Sequence, residues 1–131
     1  YGDMAGGLSV LGDCYKTQVY ALAKYINRNK EIIPVSIIEK APSAELRPGQ
    51  KDSDSLPDYS ILDSLLYQYI ERRKGPREIK ALGFDEALTD RVLRMVNRNE
   101  YKRNQFCPII RISPKAFGMG RRLPIVAHYL S

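Results

Sequence analysis

The 131 residues contain one histidine and two cysteines, too few to supply the four ligands of a structural zinc site. Cys14 and Cys107 lie far apart and neither belongs to a Cys-x-x-Cys pair. Both read as reduced thiols of a cytoplasmic protein. His128 sits in a short apolar tail and reads as structural rather than catalytic. No run of about 18 uncharged apolar residues occurs, so no segment is expected to span a membrane. A secretory signal is also missing, because the chain opens on the polar, glycine-containing Tyr1-Gly2-Asp3. Opening without Met, the chain reads as a piece of a longer one. No internal repeat is present, and no RNP-like, zinc-finger or helix-turn-helix signature.

What is present is enough for one domain with one core, since 44% of the residues are hydrophobic. The net charge of +6 is unevenly placed. Residues 1–65 carry seven Lys/Arg against nine Asp/Glu, and residues 66–131 carry fourteen against six. A basic half implies an anionic partner: phosphates, nucleic acid or an acidic subunit surface. A solvated helix face is the plainer explanation.

Hydrophobic spacing points to a mainly α chain. Four glycines in residues 1–12 form a loop feeding a helix, with Asp13 expected as its N-cap and Cys14 near its start. Val19, Leu22, Ala23 and Ile26 follow at i, i+3, i+4, i+7, an apolar stripe expected to face a core before the helix ends at 27–29. Proline disfavours helix at Ile33, and Pro34 opens a short turn over 35–39. Three prolines, Gly49 and several serines make residues 41–58 a long loop. A second helix starts at Pro57 or Asp58, carries Leu62, Leu65, Leu66 and Tyr69, and is expected to stop at Arg72-Arg73-Lys74-Gly75. Pro76 to Leu82 reads as a short helix closed by Gly83. Asp85 caps a third long helix bearing Leu88, Val92, Met95 and Val96. Beyond Arg103 the prolines and glycines predict an irregular tail, with one brief strand over 109–112.

Three segments in order carry a resemblance. The first is Tyr1-Gly2-Asp3-Met4-Ala5-Gly6-Gly7, running on to Lys16-Thr17-Gln18-Val19-Tyr20. The second is Lys40-Ala41-Pro42-Ser43-Ala44-Glu45-Leu46, with Gln50, Asp52, Asp54, Leu56, Pro57 and Tyr59. The third is Asn99-Glu100-Tyr101-Lys102-Arg103, followed by Ile112-Ser113-Pro114-Lys115-Ala116-Phe117-Gly118 and Arg121-Arg122-Leu123-Pro124-Ile125. Together they resemble the C-terminal part of the synthetase domain of glutamine-dependent NAD synthetases. The resemblance implies the helical end of an α/β adenine-nucleotide α-hydrolase-like (ATP pyrophosphatase) domain. It also implies a carbon–nitrogen ligase that adenylates the nicotinate carboxylate of deamido-NAD with ATP and Mg2+ and lets ammonia displace AMP.

By the same resemblance, Lys16 and Ser43 match residues that contact ATP. Lys102, with Arg103 beside it, and Asp3 match the deamido-NAD site. Each also has a plainer role, as an exposed helix lysine, a turn serine or a solvated helix end. Asp52 and Asp54 read as loop-solubilising acids. No catalytic side chain and no metal ligand is expected in this segment. Gly7 stands where the ammonia-dependent branch carries an acid, so that contact is not carried over. The tail from Ile112 to Ile125 instead resembles the glutamine-dependent branch, whose partner is a nitrilase-like glutaminase domain of the same chain. The Ser-Gly-Gly-x-Asp-Ser pyrophosphate loop and the Thr-Gly-Asn-Lys-Ser-Glu segment with its magnesium ligand are not in these residues. The segment alone is therefore expected to be inactive and, with apolar helix faces uncovered, to self-associate or to be only marginally stable; a homo-oligomer is expected as well. The competing reading is a basic helical module that binds nucleic acid or another subunit, with Tyr101, Phe106 and Arg111 near Lys102 and Arg103.

Overall fold

A computed structural model describes residues 6–42, Gly49, Lys51 and 56–115. Among them are six helices: α1 Lys16–Ile26, α2 Val35–Glu39, α3 Tyr59–Ile70, α4 Pro76–Ala81, α5 Glu86–Arg98 and α6 Glu100–Gln105. The only extended pairing among the described residues is one isolated parallel bridge, Ser9 to Ile109. The chain divides into two compact units, residues 15–63 and residues 1–14 with 64–131, and the division falls within α3.

In the unit of residues 15–63, α1 begins at Lys16, later than its sequence implies. Asp13 is not its cap. The preceding residue is Tyr15, whose backbone N–H donates to Gln18 Oε1 at 2.8 Å, half of a capping box. After α1, Asn27 folds the chain back. Its Oδ1 accepts from the N–H groups of Ile32 and Ile33 at 3.0 and 2.9 Å, and its Nδ2 donates to the Ile33 carbonyl at 2.7 Å. Pro34 then precedes α2 as its N-cap residue, and the helix covers the five residues its sequence predicts. The apolar stripe of α1 does not enter a core. No residue of α1 is buried, and Leu22 is 41% exposed. Tyr25, Ile32, Val35 and Ile37 are exposed as well.

The other unit holds the deeper burial. Leu65, Ile70, Ile79, Val92 and Leu93 are buried there, with Leu65, Ile79 and Leu93 wholly so. Burying each of those side chains contributes about 1.5–3 kcal/mol. Short α4 packs against α5. Lys80 adds an ion pair to Asp90 at 2.9 Å, worth less than about 1 kcal/mol because both groups are partly solvated. Asp85 caps α5 as its position predicts, accepting from the Leu88 N–H at 2.7 Å. Tyr69 Oη donates to Asn97 Oδ1 at 3.1 Å, tying α3 to α5. Gly83, at φ +93, closes α4 as expected.

Two helix ends depart from the sequence pattern. The chain leaves α3 through Arg73 at φ 55, and Lys74 N–H then reaches the Gln68 carbonyl at 3.0 Å. Gly75, expected to be that stop, instead serves as the N-cap of α4, its N–H donating to Glu78 Oε2 at 2.8 Å. The third long helix also ends earlier than Arg103. At Asn99 the side chain donates back to the Met95 carbonyl at 2.8 Å, separating α5 from α6.

Candidate functional site

Lys16 stands at the first position of α1, held by contacts within its own unit. The next backbone N–H, that of Thr17, donates to Asp63 Oδ2 at 2.7 Å. Asp63 is only 8% exposed. It supplies the negative charge that α1 lacks in its first turn and that a helix N-terminus favours. The Lys16 ammonium lies 5.7 Å from the Tyr20 ring centre and 5.9 Å from that of Tyr59, at cation–π range. Tyr20 follows Lys16 by one turn of α1, and Tyr59 precedes Asp63 by one turn of α3.

This end of α1 borders an open groove of about 370 Å³. Val19, Tyr20 and Ala23 form one wall and Ile33, Ile37 and Ile38 another. Lys16 and Lys40 are its two cationic lining residues, and Ala41 and Pro42 complete it. Apolar walls with a pair of lysines suit a ligand that combines a flat or aliphatic body with negative charge. Residues Lys40 to Pro42 lead in sequence directly into Ser43, which lies outside the described residues, as do Asp3, Asp52, Asp54 and His128.

Lys102 and Arg103 belong to the other unit, on α6. The two cations behave differently. Arg103 is paired with Glu100 one turn back, and both side chains are shielded, at 12% and 6% exposed. Lys102 is exposed and so is the one of the two that solvent reaches freely. Asp13 also lies in this unit. It is 8% exposed and accepts from the N–H groups of Ile112 and Ser113 at 2.8 and 2.7 Å. It therefore binds the N-terminal loop to the segment after α6. Beside it, Ser9 N–H donates to the Pro108 carbonyl at 2.8 Å and Ile110 N–H to the Ser9 carbonyl at 3.2 Å. Cys14 and Cys107 are both free and half-buried. Among the described residues no helix is long and apolar enough to cross a membrane.

The family described as NAD synthase matches residues 1–106. The chain belongs to that family. Glutamine-dependent NAD(+) synthetase of Acinetobacter baylyi is 55% identical over 128 residues, covering 96% of this chain and 24% of the relative. The enzyme of the same name from Thermotoga maritima is 48% identical over 131 residues, covering 98% and 23%. Among solved structures, glutamine-dependent NAD+ synthetase from Acinetobacter baumannii in complex with ADP matches with a TM-score of 0.53 and 44% identity. That match covers 95% of this chain and 22% of the other. The chain thus spans about a quarter of the length of the curated relatives it matches.

The role of Asp63 is not apparent from sequence, because its partner Thr17 lies 46 positions away. Two signals nonetheless point to the residue: the i, i+4 spacing of Tyr59 and Asp63, and a first turn of α1 without an acid.

Proposed function

We propose that this segment is the C-terminal helical part of the α/β synthetase domain of a glutamine-dependent NAD synthetase, both compact units belonging to that one domain. On this reading the intact protein joins ammonia, released from glutamine by a glutaminase domain of the same chain, to deamido-NAD. A nicotinate carboxylate oxygen attacks the α-phosphorus of ATP, and the bond to pyrophosphate breaks. Ammonia then attacks the acyl carbon and loses a proton, and AMP leaves with the electron pair of the broken C–O bond. Splitting one hard amidation into two displacements leaves the protein to hold two anionic nucleotides close together and to stabilise charge on their phosphates.

The observation that carries this reading is the groove that brings Lys16 together with the Lys40–Pro42 segment leading into Ser43. Lys16 offers its ammonium to ATP phosphate oxygens, and Ser43 offers a hydroxyl and a backbone N–H. The Acinetobacter baumannii relative, solved in complex with ADP, supports adenine-nucleotide binding by the intact protein. Lys102 takes the carboxylate or phosphates of deamido-NAD, and Asp3 matches the same substrate by resemblance. Arg103, held by Glu100, contributes charge from a fixed position. No group of three or more His, Cys, Asp or Glu residues able to hold a metal occurs among the described residues. One or two carboxylates with the substrate phosphates suffice to hold Mg2+ in such sites, and no step here is assigned to it. The exposed Leu22, Tyr25, Ile32, Val35 and Ile37 support burial of this face by the rest of the protein or by a second copy in a homo-oligomer.

A chimera tests the proposal. The segment replaces its 55% identical equivalent in the Acinetobacter baylyi synthetase. The folded chimera is expected to release AMP and form NAD from ATP, deamido-NAD and ammonia. In it, Lys16→Ala should raise KM for ATP, and Lys102→Ala should raise KM for deamido-NAD, each by about tenfold. The isolated 131 residues should release no AMP. A folded chimera without AMP release, or an isolated segment as active as the chimera, overturns the reading.

A further inference from the structure

We infer that Asp63 and Tyr59, on one face of α3, are positioning residues that set the direction of the Lys16 ammonium. The inference rests on the proposed role of Lys16 and deepens it.

A lysine side chain has four rotatable bonds, and freezing them on binding costs entropy. Two arrangements reduce that cost here. The first acts on the backbone. Asp63 Oδ2 accepts from Thr17 N–H at 2.7 Å, which fixes the residue after Lys16 and the start of α1. A free N–H at a helix start otherwise turns to water or to a cap, and the first turn frays. The second acts on the side chain. The rings of Tyr20 and Tyr59 lie on the ammonium at 5.7 and 5.9 Å, and their π-faces attract it. Tyr59 and Asp63 are four residues apart on a helix, so they present neighbouring groups on one face. One turn of α3 thus holds both the backbone beside Lys16 and its charged end.

The carboxylate does more than accept. It lies near the positive pole of α1, where a charge-assisted bond is stronger than a neutral one. The rings leave the ammonium's three N–H donors available to an anion, because a cation–π contact takes none of its hydrogen-bond capacity in the way a carboxylate would. Had Asp63 bonded Lys16 itself, an incoming phosphate would have had to displace it. By holding Thr17 instead, it orders the lysine without competing for it.

The experiment uses the chimeric synthetase described above. Asp63→Ala should raise KM for ATP about tenfold, with kcat and KM for deamido-NAD changed less than about twofold. Asp63→Asn, which keeps an acceptor oxygen but not the charge, should restore only part of the loss and leave KM for ATP raised about threefold. Tyr59→Leu, which leaves the Thr17 bond intact, should raise KM for ATP about threefold. A purely structural role would lower the active fraction, and hence kcat, and leave both KM values alone. If Lys16→Ala raises KM for ATP while Asp63→Asn and Tyr59→Leu, both folded, do not, this inference is wrong and the role of Lys16 stands. If Lys16→Ala itself has no effect, the reading beneath it fails. Should Asp63→Ala not fold, Asp63→Asn and Tyr59→Leu decide the matter between them.

Discussion

Replacing Asp13 by alanine removes two acceptor contacts at once, the bonds from Ile112 N–H at 2.8 Å and Ser113 N–H at 2.7 Å. A hydrogen bond to a charged group contributes about 1.5–3 kcal/mol when its partner stays unsatisfied. Ile112 is exposed and Ser113 half-buried, so water can reach the freed amides and the lower end of that range applies. Bonds that share one carboxylate are not additive either. About 2 kcal/mol remains for the pair, equal to roughly a thirtyfold rise in local opening. Hydrogen exchange read amide by amide should show that loss of protection at Ile112 and Ser113 and in the neighbouring Ser9 and Ile110 pairing. The amides of Lys16, Thr17 and Gln18 should be unaffected, because α1 starts at Lys16 without Asp13. A result in which Asp13→Ala deprotects residues 16–18 and spares 112–113 would make Asp13 a helix cap after all, and the tertiary argument would be refuted.

Three further outcomes follow from local contacts. Asp85→Ala should lower stability by about 1 kcal/mol in a urea titration, since Leu88 N–H loses its cap; an unchanged midpoint would count against the bond. Leu93→Ala, at a wholly buried position of α5, should cost about 2–5 kcal/mol, and a cost under about 1 kcal/mol would place Leu93 outside the core. The Ser60 hydroxyl, and after it the Ser60 N–H, hold the Asp58 carboxyl below its ordinary value. Its support for the start of α3 is therefore present above the ordinary carboxylate pKa and is withdrawn as pH falls through the lowered folded value. Amide protection at Ile61 and Leu62 should persist at pH 5 and fade below about pH 4, and fading at higher pH would contradict the assignment.

Elements governed by neighbours in sequence were legible. Pro34 and the residues after it predict α2, Asp85 predicts the start of α5, and Gly83 predicts the end of α4; each is set by contacts within about one turn. Errors arose where a residue serves a distant partner. Asp13 stands just ahead of a helix and looks like its cap, yet its partners lie 99 and 100 positions away. Asp63 looks like an ordinary polar residue of α3, yet it completes α1 from 46 positions away. The stop of α3 departs from the sequence pattern because Arg73, not the nearby glycine, adopts positive φ. The apolar stripe of α1 was recognised correctly as a pattern, but periodicity says that a face is apolar without saying what covers it. Of the candidate site, Lys16, Lys102 and Arg103 are candidates by resemblance alone. Their surroundings, the two tyrosine rings and the Glu100 pair, needed three dimensions.

The bridge between Ser9 and Ile109 also has a consequence in time. A ribosome adds residues at about 5–20 per second, so roughly 5–20 seconds separate the emergence of these two partners. During that interval residues 15–63 are complete and can form their own bonds, while the early glycine-containing loop waits for the polypeptide that will dock on it. Assembly of the second unit is thus deferred to the end of synthesis of this segment, and a chain arrested before Pro108 should leave Ser9 and Asp13 in water.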